Sequence, residues 1–62
     1  MKRSALERFL TDHGCKLARH GASHDVWMSA RGVATVPRHK DIATGTALAI
    51  CKQLGVPKPP FR

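Results

Sequence analysis

The chain is short of acid. Four Asp and Glu stand against eleven Lys and Arg, leaving a net charge of +7 on 62 residues. Such a surplus suits a polyanionic partner, with nucleic acid first and an anionic membrane surface second. The membrane reading weakens because no apolar run approaches the roughly 20 residues a span needs. The basic residues are also scattered along the chain, not aligned on one amphipathic helix. Cysteine is scarce too: Cys15 and Cys51 have no C-x-x-C or histidine-spaced companion, so they do not form a zinc site. They are expected to be buried, reduced thiols of a cytoplasmic protein. No secretory signal is visible, since Met1-Lys2-Arg3-Ser4 leads directly into a helical pattern. At this length folding buries only about 60% of the surface an unfolded chain exposes, which leaves no room for a cofactor-filled cleft. No cofactor and no metal are expected, and any chemistry must happen at the surface.

The periodicities describe one domain over 1–56, followed by an extended or disordered tail over 57–62. Ser4-Ala5-Leu6-Glu7 has the form of a capping box, and Leu6, Phe9 and Leu10 form one apolar stripe that Gly14 ends after His13. From Cys15 the period becomes two, with Cys15 and Leu17 on one face and Lys16, Ala18 and His20 on the other. Gly21-Ala22-Ser23 interrupts this strand. The next, His24 to Ser29, puts His24, Val26 and Met28 on the presumed core side and Asp25, Trp27 and Ser29 on the open side. Ala30-Arg31-Gly32 is a hairpin loop, and Val33 to Val36 is a third strand stopped by Pro37. Thr44 is a plausible N-cap for a helix striped by Ala47, Ile50, Cys51 and Leu54 and ended by Gly55. The expected fold is therefore α+β in the order α-β-β-β-α. A three-stranded antiparallel sheet would carry both helices on one face and leave the other open.

Three segments carry a family resemblance. Gly21-Ala22-Ser23-His24 lies between two short strands, Val36-Pro37-Arg38-His39 closes the third, and Gly45-Thr46 opens a helix continuing Ile50-Cys51-Lys52-Gln53-Leu54-Gly55. In this order they resemble the HicA family of toxins, and the likeness covers about residues 3 to 56. The resemblance implies a fold like the double-stranded-RNA-binding domain and metal-independent cleavage of RNA as an mRNA interferase. It also implies one essential histidine, mapping onto His24, and a cognate HicB-type antitoxin that neutralises the toxin. Oligomers would arise only through that antitoxin complex. Ala22 stands where the family often has a second glycine, and Asp25 places a carboxylate next to His24, where it would orient the ring or repel phosphate.

The chemistry is coherent on its own terms. RNA carries its own nucleophile, the 2′-hydroxyl, so a nuclease needs a base for that proton, an acid for the leaving 5′-oxygen, and positive charge around the phosphate. Imidazole suits this work because its unperturbed pKa is about 6.5. His24 begins a strand after a glycine-containing turn, so its ring would project from the sheet rim; a rim histidine satisfied by a backbone carbonyl is the alternative. His39 is the next candidate for a titrating group, or else a solvated loop residue. His13 lies at a helix C-terminus, where the helix dipole favours a cation, and His20 is placed on the open face. Arg38 and Lys40, just before the second helix, would hold phosphate at its N-terminus, with Lys16 and Arg19 as further contacts. Trp27, the only tryptophan, would stack on a base, cover the sheet or, with the Val56 to Phe61 tail, anchor the antitoxin. A non-catalytic RNA-binding module with the same surface is the first rival reading. A DNA-binding regulator is the second, disfavoured because three strands separate the helices.

Overall fold

A computed structural model describes residues 1–59. Its elements are α1 (Arg3–Asp12), β1 (Lys16–His20), β2 (His24–Met28), β3 (Val33–Pro37) and α2 (Thr44–Leu54). The three strands form one antiparallel sheet in the order β1-β2-β3. Residues 57–59 continue past α2 without helix or strand, and Pro59 is buried. The last part of the expected tail, including Phe61, lies outside the described residues.

Leu6 and Leu10, four apart on one face of α1, are fully buried, and Phe9 packs partly against them. The expected Ser4–Glu7 capping box does not form: the helix begins at Arg3, with Lys2 as an N-cap that makes no side-chain bond. Another segment supplies the acceptor instead. The Arg3 amide donates to the Lys40 carbonyl at 2.9 Å, the Ile42 amide to the Met1 carbonyl at 2.7 Å, and Lys2 bridges Asp41. Because the helix already begins at Arg3, the Glu7 amide that Ser4 would have capped falls on the intrahelical ladder. The start of α2 is likewise shifted by one, for Ala43 and not Thr44 is its N-cap. Both helices end as expected, at Gly14 and Gly55, whose φ values of 83° and 71° belong to the left-handed region.

The helices cover one face of the sheet, and the core joins Leu6 and Leu10 to Trp27, Ala34, Val36, Ile42, Ala47, Ile50, Cys51 and Leu54. This reverses the faces expected for β2. Asp25 and Trp27 point into the core, whereas His24 and Met28 are exposed and Val26 is half-buried on the open side. Alternation alone is symmetrical, since β2 carries apolar residues on both sides. The Trp27 ring, one of the residues that bury some 150–250 Å², decides the matter. Asp25 follows it inward because two neighbouring side chains meet its carboxylate.

A second correction concerns β1. The pairing with β2 runs Lys16↔Met28 and Leu17↔Trp27, then slips, so that Arg19 faces Val26 and His20 faces Asp25. Ala18 is the extra residue of a β-bulge. Strict alternation would have put Arg19 on the side of Leu17 and His20 on the open face; the bulge exchanges them. The hairpin between β2 and β3 is closed by the Ser29 amide on the Gly32 carbonyl at 2.9 Å. Its Ser29 hydroxyl donates to the Leu54 carbonyl at 2.7 Å, which ties it to the end of α2. No helix among the described residues is long and apolar enough to cross a membrane.

Burial drives this fold, and total stability for a domain of this size is of the order of 3–9 kcal/mol. Leu6→Ala is expected to remove about 2–5 kcal/mol of it, enough to populate the unfolded chain, whereas Ile50→Val should remove about 0.5–1.5 kcal/mol and stay folded. Urea denaturation followed by Trp27 fluorescence measures both.

Candidate active site

His24 is exposed at the first position of β2, beside the turn that links it to β1. The turn is closed by the Gly21 amide, which donates to the His24 carbonyl at 2.8 Å, and a side chain at Gly21 would collide with that same carbonyl. Glycine is thus required here by close approach and not by a left-handed backbone. The Arg38 amide donates to the Ser23 carbonyl at 3.3 Å from the other side. His24 and Arg19 border a shallow depression of about 360 Å³, together with Ser23, Val26 and Thr35.

Register identifies the remainder of this face. Cross-strand partners share a side, which gives the rows Lys16, Met28, Val33 and Arg19, Val26, Thr35, with His24 next to Pro37 at the rim. None of these residues is acidic. Lys16 and Arg19 are exposed and have no ion-pair partner among the described residues. Arg19 lies beside His24, while Lys16 is at the opposite end of its strand. Met28 and Val33, 45% and 59% exposed, make the end of the face away from His24 apolar.

The opposite face holds Asp25, 4% exposed. Its Oδ1 accepts the Arg38 Nε hydrogen at 2.9 Å and lies 2.8 Å from His20 Nδ1. Arg38 Nη2 is also 2.9 Å from that ring nitrogen. One nitrogen serves one role at a time: with a hydrogen, Nδ1 donates to Asp25, and without it, Nδ1 accepts from Arg38. The Arg38 hydrogen bond holds the Asp25 carboxyl below the usual carboxylate range, against the opposing effect of burial and with further help from His20. Asp25 therefore grips His20 and Arg38, and makes no hydrogen bond to His24.

Arg38 and Lys40 leave the N-terminus of α2, where the sequence placed them, and instead line a depression of about 310 Å³ with Lys2, Arg3 and Ser4. Arg3 Nη1 donates to the Arg38 carbonyl at 2.7 Å. Lys2 and Arg3 escaped the sequence reading because only tertiary contact, with no local spacing, brings residues 2–4 to 38–40. His39 is exposed in the same loop. The His13 ring bonds the Phe9 carbonyl at 2.9 Å, and Trp27, buried in the core, is unavailable for stacking on a base or anchoring a partner. Cys15 and Cys51 are free and buried, and burial pushes both thiols up. No three His, Cys, Asp or Glu side chains among the described residues gather into a group that could hold a metal ion.

The Asp25 contacts set an acid-side stability dependence. The folded carboxyl titrates below an unfolded aspartate, whose pKa is about 3.9. Below that value the unfolded chain takes up protons more readily, so the contribution of Asp25 is full above it and disappears as pH falls through the folded pKa. Asp25→Asn should therefore lose melting temperature at pH 6 and show a shallower further loss than wild type between about pH 5 and pH 2. Thermal melts followed by circular dichroism provide the comparison.

Comparison with curated proteins finds no match, and comparison with solved structures finds none either. The family model described as the HicA toxin of bacterial toxin-antitoxin systems matches residues 3–56 of the 62-residue chain. That span contains both helices, the whole sheet and the His24 rim. With the three sequence segments and the α-β-β-β-α fold in agreement, the chain belongs to the HicA toxin family.

Proposed function

We propose that this toxin is a metal-independent endoribonuclease, an mRNA interferase that cuts RNA on the open face of its sheet and so arrests translation and growth. The carrying observation is the placement of His24, exposed at the rim beside Arg19 on a face with cations and no carboxylate. The face attracts a phosphate backbone without local repulsion, and the imidazole stands where that backbone arrives.

His24 acts on the ribose 2′-hydroxyl as a general base. The 2′-oxygen attacks the adjacent phosphorus, the bond to the 5′-oxygen breaks, and the leaving oxygen takes a proton from solvent. The products are a 2′,3′-cyclic phosphate and a 5′-hydroxyl. Arg19 supports the negative charge that grows on the phosphate oxygens. The donor set needed is small because the substrate supplies the nucleophile, which a 62-residue surface can accommodate.

Membership of a toxin-antitoxin family implies a cognate antitoxin. A HicB-type antitoxin is the proposed partner, with acidic groups drawn to the +7 surface and apolar groups covering Met28 and Val33. Trp27 contributes to this only from below, by shaping the sheet.

His24→Ala should lower cleavage of labelled RNA by about 100-fold or more, the range a single positioned histidine supplies, and remain folded. Activity should persist in excess EDTA, and RNA with a 2′-O-methyl group at the cut should resist. RNA retained but left intact by pure wild-type protein would identify the non-catalytic module instead.

Salt dependence locates the phosphate contacts. For binding to uncleavable 2′-O-methyl RNA, Arg19→Ala and Lys40→Ala should each make the log-log salt slope shallower by about 0.7 to 0.9. Arg38→Ala should change it less, since Asp25 already meets that guanidinium. Equal changes in all three would show Arg38 released from Asp25 in the complex.

A further inference from the structure

His24 makes no side-chain hydrogen bond among the described residues, so its aim is set by its backbone. That backbone is held from the other side of the sheet. We infer that Asp25 is a positioning residue for the reaction of His24, acting as a clamp that joins all three strands at the rim.

The inference rests on the nuclease reading above and on four contacts. Asp25 follows His24 directly in β2, and its carboxylate is turned away from the open face into the protein. On one side it reaches His20, the last residue of β1, at 2.8 Å. On the other it takes the Arg38 Nε hydrogen at 2.9 Å, just beyond the end of β3. The Arg38 amide in turn holds the Ser23 carbonyl at 3.3 Å, and the Gly21 amide holds the His24 carbonyl at 2.8 Å. The turn that aims His24 is therefore held at both ends, and the residues next to those holds, His20 before Gly21 and Arg38 itself, both meet one carboxylate.

The chemistry explains why a buried acid occupies this position in a chain with only four carboxylates. A carboxylate bound by a guanidinium through a charge-assisted hydrogen bond is a directional, strong connection. Facing the helices, it fixes the rim without placing negative charge among the RNA phosphates. The Ala18 bulge is part of the device, because only the slipped register turns His20 toward Asp25.

The test is Asp25→Asn, which keeps the shape and removes the charge, compared with wild type by steady-state cleavage and amide hydrogen exchange. The kcat should fall about tenfold or more, as displacement of a reacting group by about 1 Å can cause. The KM should hold within about threefold, since Lys16 and Arg19 remain on the open face. Exchange at Gly21 and Arg38 should accelerate about tenfold more than at the Ile50 and Cys51 amides of α2, which follow only the loss of global stability, the pattern of local opening. Should the variant not fold, His20→Ala opens only the β1 side and should give the same pattern in weaker form. Unchanged kcat overturns the inference. So does an equal acceleration at the rim and at α2, which would make Asp25 a general stabiliser only, and so does a change in KM alone, which would place its effect in RNA contacts through Arg38. If wild type leaves RNA intact, the nuclease reading fails with the catalytic half of this inference, and exchange at Gly21 alone decides whether the clamp exists.

Discussion

Each strand of a half-covered sheet has one side in water and one against the helices, and here the division of charge depends on which residues take which side. Burial of Trp27 settles it for β2 and, through register, for β3. In β1 the extra residue Ala18 breaks the alternation, so Arg19 joins the open side and His20, itself exposed, turns to the side of Asp25. Without the slip Arg19 would leave the open side and the buried carboxylate of Asp25 would lose one of its two partners. Leaving a buried charge short of a partner costs more than a local irregularity in a ladder.

The resulting surface is asymmetric in a useful way. The three strands carry one acid, and it faces the helices; the exposed side shows only cations, apolar residues, Thr35 and His24. On the proposed reading the open sheet face is the working surface of a domain too small for a deep cleft, and affinity for RNA comes from charge and shape more than from enclosure, which accords with the shallow depression at His24. The two depressions, at Arg19 and His24 and at Lys2, Arg3 and Lys40, give an anionic chain more than one place to rest.

Element order, the glycine helix ends and the strand-initial place of His24 were legible in the sequence because each depends on local pattern: apolar spacing of three and four, left-handed glycines, and a turn before a strand. The reading failed where two local patterns competed or where distant segments met. β2 is apolar on both sides, and an aspartate beside a tryptophan suggests a wet face until its partners, 5 and 13 residues away along the chain, are known. Ser4 has the signature of a cap, yet the helix starts one residue before it, its Arg3 amide held by the distant Lys40 carbonyl. A bulge leaves no mark in a five-residue strand of mixed composition such as β1. Family resemblance pointed to His24, but it offered nothing on Asp25 beyond its position as neighbour.

The sheet has two free margins, and its bare face does not protect them. β1 is exposed along its whole length and β3 forms the other border. An uninterrupted border of amides and carbonyls invites a strand from another copy to dock and propagate. On β1 the row is broken in the middle by Ala18 and flanked by the repelling charges of Lys16 and Arg19; on β3 it ends at Pro37, which has no amide hydrogen to offer. The same irregularity that sorts His20 from Arg19 thus also helps keep a small, half-covered sheet from templating its own aggregation while it is synthesised.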